Sequence, residues 1–154
     1  MDKKKIVKIS IAIFAIVLVA GLGSLFVNLG IGWYETLVVP SQWIPSYVIP
    51  IAWTTIYLCF GVIFFLWKKG GDVPKDIVVL SIINGVLNIL WCLVFFTLQQ
   101  LLLGNIIIVI NSLFAIKLIS EIYKVKKIYA SILSIYPIWI CIATTLNIAL
   151  WVLN

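Results

Sequence analysis

The sequence predicts an all-α integral membrane protein, a bundle of five transmembrane helices forming a single domain over residues 1–154. Three observations carry this. The chain is 64% hydrophobic and only 10% charged. Its apolar residues gather in five runs, about residues 6–27, 47–67, 77–98, 101–124 and 128–153, each long enough to cross ~30 Å of hydrocarbon as a helix. Its eleven basic residues are all Lys, and they stand beside alternate connections only.

The first run follows Lys3, Lys4, Lys5 and Lys8. A Lys-rich start before an apolar run resembles a secretory signal, but this run exceeds the usual core of ~7–15 residues, so it is read as a retained helix. Gly30 and Gly32 are expected to end it and to open a loop over residues 28–46, with Pro40 and Pro45 preventing a regular helix. That loop carries Trp33, Tyr34 and Trp43, more aromatic surface than a flexible linker needs. It reads either as a packed lid or as an interfacial aromatic belt. Ser46 is placed to cap the second helix, with Pro50 in its first turn, where proline is tolerated. Lys68 to Asp76, with Gly70, Gly71 and Pro74, reads as a tight turn, and Asp72 and Asp76 suit the start of the third helix. Gly104 is assigned to the turn between the third and fourth helices. Pro137 should kink the fifth or free the carbonyl of Leu133.

The Lys pattern gives an orientation. Lys3, Lys4, Lys5 and Lys8 precede the first run; Lys68, Lys69 and Lys75 join the second and third; Lys117, Lys124, Lys126 and Lys127 lie around the junction of the fourth and fifth. Five alternating spans bring all of these to one face. The positive-inside rule makes that face cytoplasmic, with the N-terminus in, the C-terminus out, and a bacterial cytoplasmic membrane as the expected location.

Composition also excludes. The net charge of +6 is not a nucleic-acid signal, since there is no Arg and the Lys flank membrane spans, where lipid headgroups are the expected partners. The absence of His removes His-based triads and His metal sites. Cys59, Cys92 and Cys141 are far apart, without a CxxC pair, and read as buried small hydrophobes. No cofactor, no metal and no conventional catalytic constellation are expected. Glu35 and Glu121 lie outside the membrane centre, which disfavours a proton-driven transporter.

Polar groups inside spans should face the bundle interior. Asn84, Asn88, Trp91 and Phe95 are spaced 4, 3 and 4, and so share one helix face. Tyr136, Trp139, Ala143 and Asn147 are spaced 3, 4 and 4, with Trp151 four further on; Trp53, Tyr57, Gly61 and Phe64 are spaced 4, 4 and 3. Taken singly, these residues suit an ordinary bundle core in which Asn joins helices. Taken together, with seven Trp and no acid in the membrane, they suit a cavity for a flat, apolar, polycyclic ligand, leaning towards the loop. Ser81 and Gly85 form a small-xxx-small pair, a weak signal for a dimer interface.

Three segments resemble one family. GWYETLVVPSQWIPSYVIPIAWTTIYLCFG from Gly32, LNILWCLVFF from Leu87 and YPIWICIATTLNIALW from Tyr136 are similar to the loop with the second helix, the third helix and the fifth helix of the translocator proteins, also called tryptophan-rich sensory proteins or peripheral-type benzodiazepine receptors. The first and fourth runs match in hydropathy only. The resemblance implies a five-helix homodimer that binds porphyrins and benzodiazepine-type drugs. It carries ligand-binding roles onto Trp33, Trp43, Trp53, Tyr57, Asn88, Trp91, Trp139, Ala143 and Asn147; the face patterns add Asn84 and Tyr136. Pro50 stands three residues before Trp53, where two is usual in the family. The cholesterol motif of animal members is not carried here, because Ile148 stands where its Tyr would be and no basic residue follows.

The leading expectation is therefore a membrane protein that binds protoporphyrin-like tetrapyrroles for sensing, transfer or regulation. The rival is an enzyme that degrades bound porphyrin with light and oxygen, a photosensitiser reacting among Trp side chains. A third reading is a helical assembly subunit without a ligand.

Overall fold

A computed structural model describes residues 3–39 and 44–154. The described chain is all-helical, with five spans long and apolar enough to cross a membrane. The helices are α1 (Lys3–Tyr34), α2 (Val48–Gly70), α3 (Lys75–Cys92), α4 (Leu101–Val125), α5 (Lys127–Leu133) and α6 (Ile135–Leu153). A single π-helical turn, Leu93–Thr97, prolongs α3. The spans close into a ring: α1 packs on α2 and on α3 with its π turn, α3 on α4, α4 on α6, and α5 and α6 return to α2.

Two clusters fill the interior. At the end that carries the lysines, Ile63, Trp67, Ile77, Leu118, Ile122 and Leu133 interlock. Towards the other end, Ile56, Trp91, Phe95, Tyr136, Trp139 and Ile140 belong to a second, more aromatic cluster. The outer face is apolar: Phe14, Leu58 and Leu113 are each more than 60% exposed. Such a surface suits lipid, which requires every backbone polar group to be paired inside the helix.

Two boundaries differ from expectation, for one reason. α1 does not end at residue 27; it runs through Gly30 and Gly32 to Tyr34. A Cβ at position 30 would overlap the carbonyl of Phe96. Gly30 thus admits the π turn of α3 against α1, and helix-breaking propensity yields to a close packing contact. Thr97 Oγ1 closes the same contact by donating to Phe26 O at 2.9 Å. The loop is correspondingly short. Trp33 belongs to the last turn of α1, while Trp43 lies outside the described residues.

Gly104 likewise sits in the first turn of α4, not in the connection before it. A Cβ there would come 2.8 Å from Phe95 Cδ2, so glycine makes room for that ring. The turn itself is made by Gln99, whose φ of 56° lies in the left-handed region. Ser46 makes no capping bond; Tyr47 precedes α2 and offers no side-chain cap. The fifth span breaks as proline chemistry requires. Pro137 has no N–H for Leu133 O, and the helix is interrupted at Ser134 between α5 and α6.

Candidate functional site

α2 presents Trp53, Tyr57, Phe60 and Phe64 to the interior as an aromatic wall. Trp53 stacks on Tyr57 with centroids 5.8 Å apart, and Phe60 on Phe64 at 6.3 Å. Trp53 also meets Trp91 at 6.2 Å and Tyr136 at 6.5 Å, while Phe60 is edge-on to Tyr136 at 5.5 Å. Trp91 continues the layer to Phe95, and Trp33 reaches the same ring edge-on at 6.1 Å. The rings expected to line a cavity beneath the loop therefore pack largely on one another. Trp33, Trp53, Trp91, Trp139 and Ala143 all belong to this layer.

The layer is polar at specific atoms. Trp91 Nε1, Trp139 Nε1, Asn147 Oδ1 and both polar atoms of the Asn105 side chain are buried without a hydrogen-bond partner. Asn147 Nδ2 is paired to Ala143 O at 2.8 Å. Orphaned groups of this kind cost roughly 1–3 kcal/mol each, so they are natural partners for a polar ligand atom.

Among the described residues, open volume lies on the lysine-bearing side of the aromatic layer. A half-open cavity of about 500 Å³ is bounded by α1, α2 and α3, with Leu118 and Tyr136 at its back and the exposed Ile11 and Ile82 at its mouth. Three helix faces build it. α2 contributes Tyr57, Phe60 and Phe64; α3 contributes Ser81, Gly85 and Asn88, spaced 4 and 3; α1 contributes Lys8, Ala12, Ala15 and Val19, spaced 4, 3 and 4. An aromatic wall thus faces a wall of small side chains, which leaves a slot. The volume is within the ~300–1,000 Å³ usual for ligand pockets.

Of the expected site residues, Tyr57, Asn84, Asn88 and Tyr136 line this cavity. Ser81 and Gly85 line it too, and Gly85 faces α1 of the same chain: a Cβ there would lie 3.0 Å from Val19 Cγ2. The α1 wall escaped sequence reasoning because Ala and Val in an apolar run carry no polar or aromatic signal. The 4, 3, 4 stripe that begins at Lys8 was the trace available.

A hydrogen-bonded chain backs the cavity. The Tyr136 hydroxyl stands 3.1 Å from Asn84 Oδ1 and 3.4 Å from Asn111 Oδ1, and Asn84 Nδ2 donates to Leu80 O at 2.8 Å. One phenolic proton cannot serve two carbonyl oxygens. Turning the Asn111 amide over lets its otherwise unpartnered Nδ2 donate to the phenol, and the chain Asn111, Tyr136, Asn84, Leu80 then runs in one direction. Asn84 is therefore committed to the fold, and Asn88 is the carboxamide on the cavity wall left for a ligand.

At the other end of the slot stands Lys8, whose Nζ is 2.9 Å from Asp72 Oδ1. Among the described residues no group of three His, Cys, Asp or Glu could hold a metal ion. The arrangement is suited to holding a flat apolar molecule by stacking and shape, with few polar contacts.

Comparison with known proteins agrees with this architecture. The TspO/MBR family profile matches residues 11–152. The tryptophan-rich protein TspO of Archaeoglobus fulgidus is 30% identical over 97% of this chain and 98% of its own length. The human translocator protein is 32% identical over 84% of this chain and 79% of its own. The protein CrtK of Rhodobacter capsulatus is 28% identical over 79% and 78%. A match across nearly the whole chain, together with five membrane-crossing helices, makes this integral membrane protein a member of the TspO/MBR family.

Proposed function

We propose that the protein binds a flat, apolar tetrapyrrole of the protoporphyrin type within the membrane, for its sensing, transfer or regulation. The observation that carries this is the slot between Tyr57, Phe60 and Phe64 on one side and Ala12, Ala15 and Gly85 on the other. Small residues opposite rings leave room for a sheet-like molecule, and rings stack on its faces. Benzodiazepine-type drugs, also flat and apolar, are proposed as ligands of the same aromatic region. The unpartnered indole N–H groups of Trp91 and Trp139 support a polar contact at the border of the layer.

The orientation is part of the proposal. The Lys-bearing end is assigned to the cytoplasm, and a single Cys near residue 3 should resist an impermeant reagent in intact cells. A homodimer is its companion, and cross-linking in native membranes tests it.

Titration of the purified protein with protoporphyrin IX, read by Trp quenching, tests the binding itself. Saturable quenching at about one ligand per chain is expected. Linear quenching, equal to that of empty lipid discs with added Trp peptide, would remove the proposal.

A further inference from the structure

We propose that Lys8 anchors the ligand: a planar molecule stands on edge in the slot, with a carboxylate on its rim held by the Lys8 ammonium. This rests on the binding reading above and adds the orientation and charge of what is bound. Lys8 is the one ionised side chain among the described residues that line the cavity; the others are apolar, hydroxyl or carboxamide. It opens the α1 stripe Lys8, Ala12, Ala15, Val19, so it stands at the end of the wall the ligand would touch. Between Lys8 and Val19 the wall extends about 16 Å at 1.5 Å per residue, long enough for a macrocycle on edge.

Polarity varies along the slot in one direction. Its deep end offers Asn88 and the Asn84–Tyr136 pair, all neutral; its middle is aliphatic and aromatic; its rim carries the cation. A carboxylate placed deeper would be buried without a counter-ion, which is strongly unfavourable. A molecule with one anionic rim and an otherwise apolar body matches that order. Asp72 now holds the ammonium in an ion pair whose two side chains are 52% and 73% exposed. Exposed pairs contribute little, so Lys8 can turn to a ligand carboxylate at small cost.

The test compares protoporphyrin IX with its dimethyl ester, which differ in rim charge and share the macrocycle, in lipid discs of neutral phosphatidylcholine. Wild type, Lys8→Gln and Asp72→Asn are titrated with both. Wild type is expected to prefer the free acid by about tenfold, the size of a hydrogen bond to a charged group. Lys8→Gln should lose that preference while its affinity for the ester stays within about twofold, and Asp72→Asn should retain or increase it. Equal affinities of wild type for acid and ester would overturn the anchor, as would a preference that survives Lys8→Gln; in both cases porphyrin binding would stand. Loss of the preference when anionic phosphatidylglycerol replaces the neutral lipid would assign Lys8 to headgroups and overturn it as well. No saturable binding of either compound to wild type would sink the binding reading itself.

Discussion

The Asn154 carboxamide grips the peptide of Val38 at two points: its Nδ2 donates to Val38 O at 3.1 Å, and its Oδ1 accepts from Val38 N at 2.9 Å. A side-chain amide here imitates a β-ladder partner. It ties the segment that follows α1 to the end of α6, 116 positions away in sequence. Asn154 Nδ2 also donates to Leu150 O at 2.9 Å, which holds the amide in place.

Asn154→Ala should therefore free the segment without unfolding the bundle. The pair is exposed, and net hydrogen-bond contributions are about 0.5–1.5 kcal/mol, so global stability should fall by less than about 1 kcal/mol. Hydrogen exchange at the Val38 amide should quicken clearly, while exchange in α3 stays unchanged. An unaltered Val38 rate would mean that the grip does not persist in solution.

Gly30→Ala and Gly32→Ala form a matched pair. At position 30 a methyl group meets the backbone of Phe96, which cannot rotate away; at position 32 nothing lies within 4 Å. Overpacking costs typically 1–3 kcal/mol, and the rigid neighbour puts Gly30→Ala at roughly 2 or more. Gly32→Ala should be neutral or stabilise by up to about 1 kcal/mol through helix propensity. Thermal unfolding of both variants in the same detergent makes the comparison, and equal losses would contradict the packing argument.

Trp33→Ala should act on stability rather than on ligand kinetics. The indole caps Phe95 from the last turn of α1, on the far side of the aromatic layer from the cavity. Losing one edge-on aromatic contact removes about 0.5–1.5 kcal/mol beyond burial. Stopped-flow dissociation of protoporphyrin should be unchanged. A faster off-rate would return Trp33 to the ligand.

Ala15→Phe should close the slot. Ala15 lines the cavity from α1, opposite the rings of α2, and a phenyl group there would occupy the space of a flat ligand. Porphyrin affinity should fall at least about tenfold, or ~1.4 kcal/mol, with the unfolding temperature within a few degrees of wild type. Undiminished binding would place the ligand outside the cavity.

Hydropathy, Lys placement and proline chemistry were enough for the spans and for the break in the fifth, because in hydrocarbon a backbone must pair with itself and only helices of sufficient length can do so. The polar face of α3 and, apart from Phe60, the aromatic stripe of α2 were legible for a related reason: helical spacing and the aversion of carboxamides to lipid reduce the choice of inward side. Family membership followed from the same residues. What only tertiary structure decided is where those inward faces leave space. Gly30 and Gly104 read as breakers in one dimension and act as clearances in three, because Phe96 and Phe95 arrive from α3 and its π turn. The aromatic rings pack on one another, and a slot opens on the lysine side, where the small residues Ala12, Ala15 and Gly85 stand across from Phe60 and Phe64. A cavity is set by what side chains fail to reach, and that depends on how the helices pack.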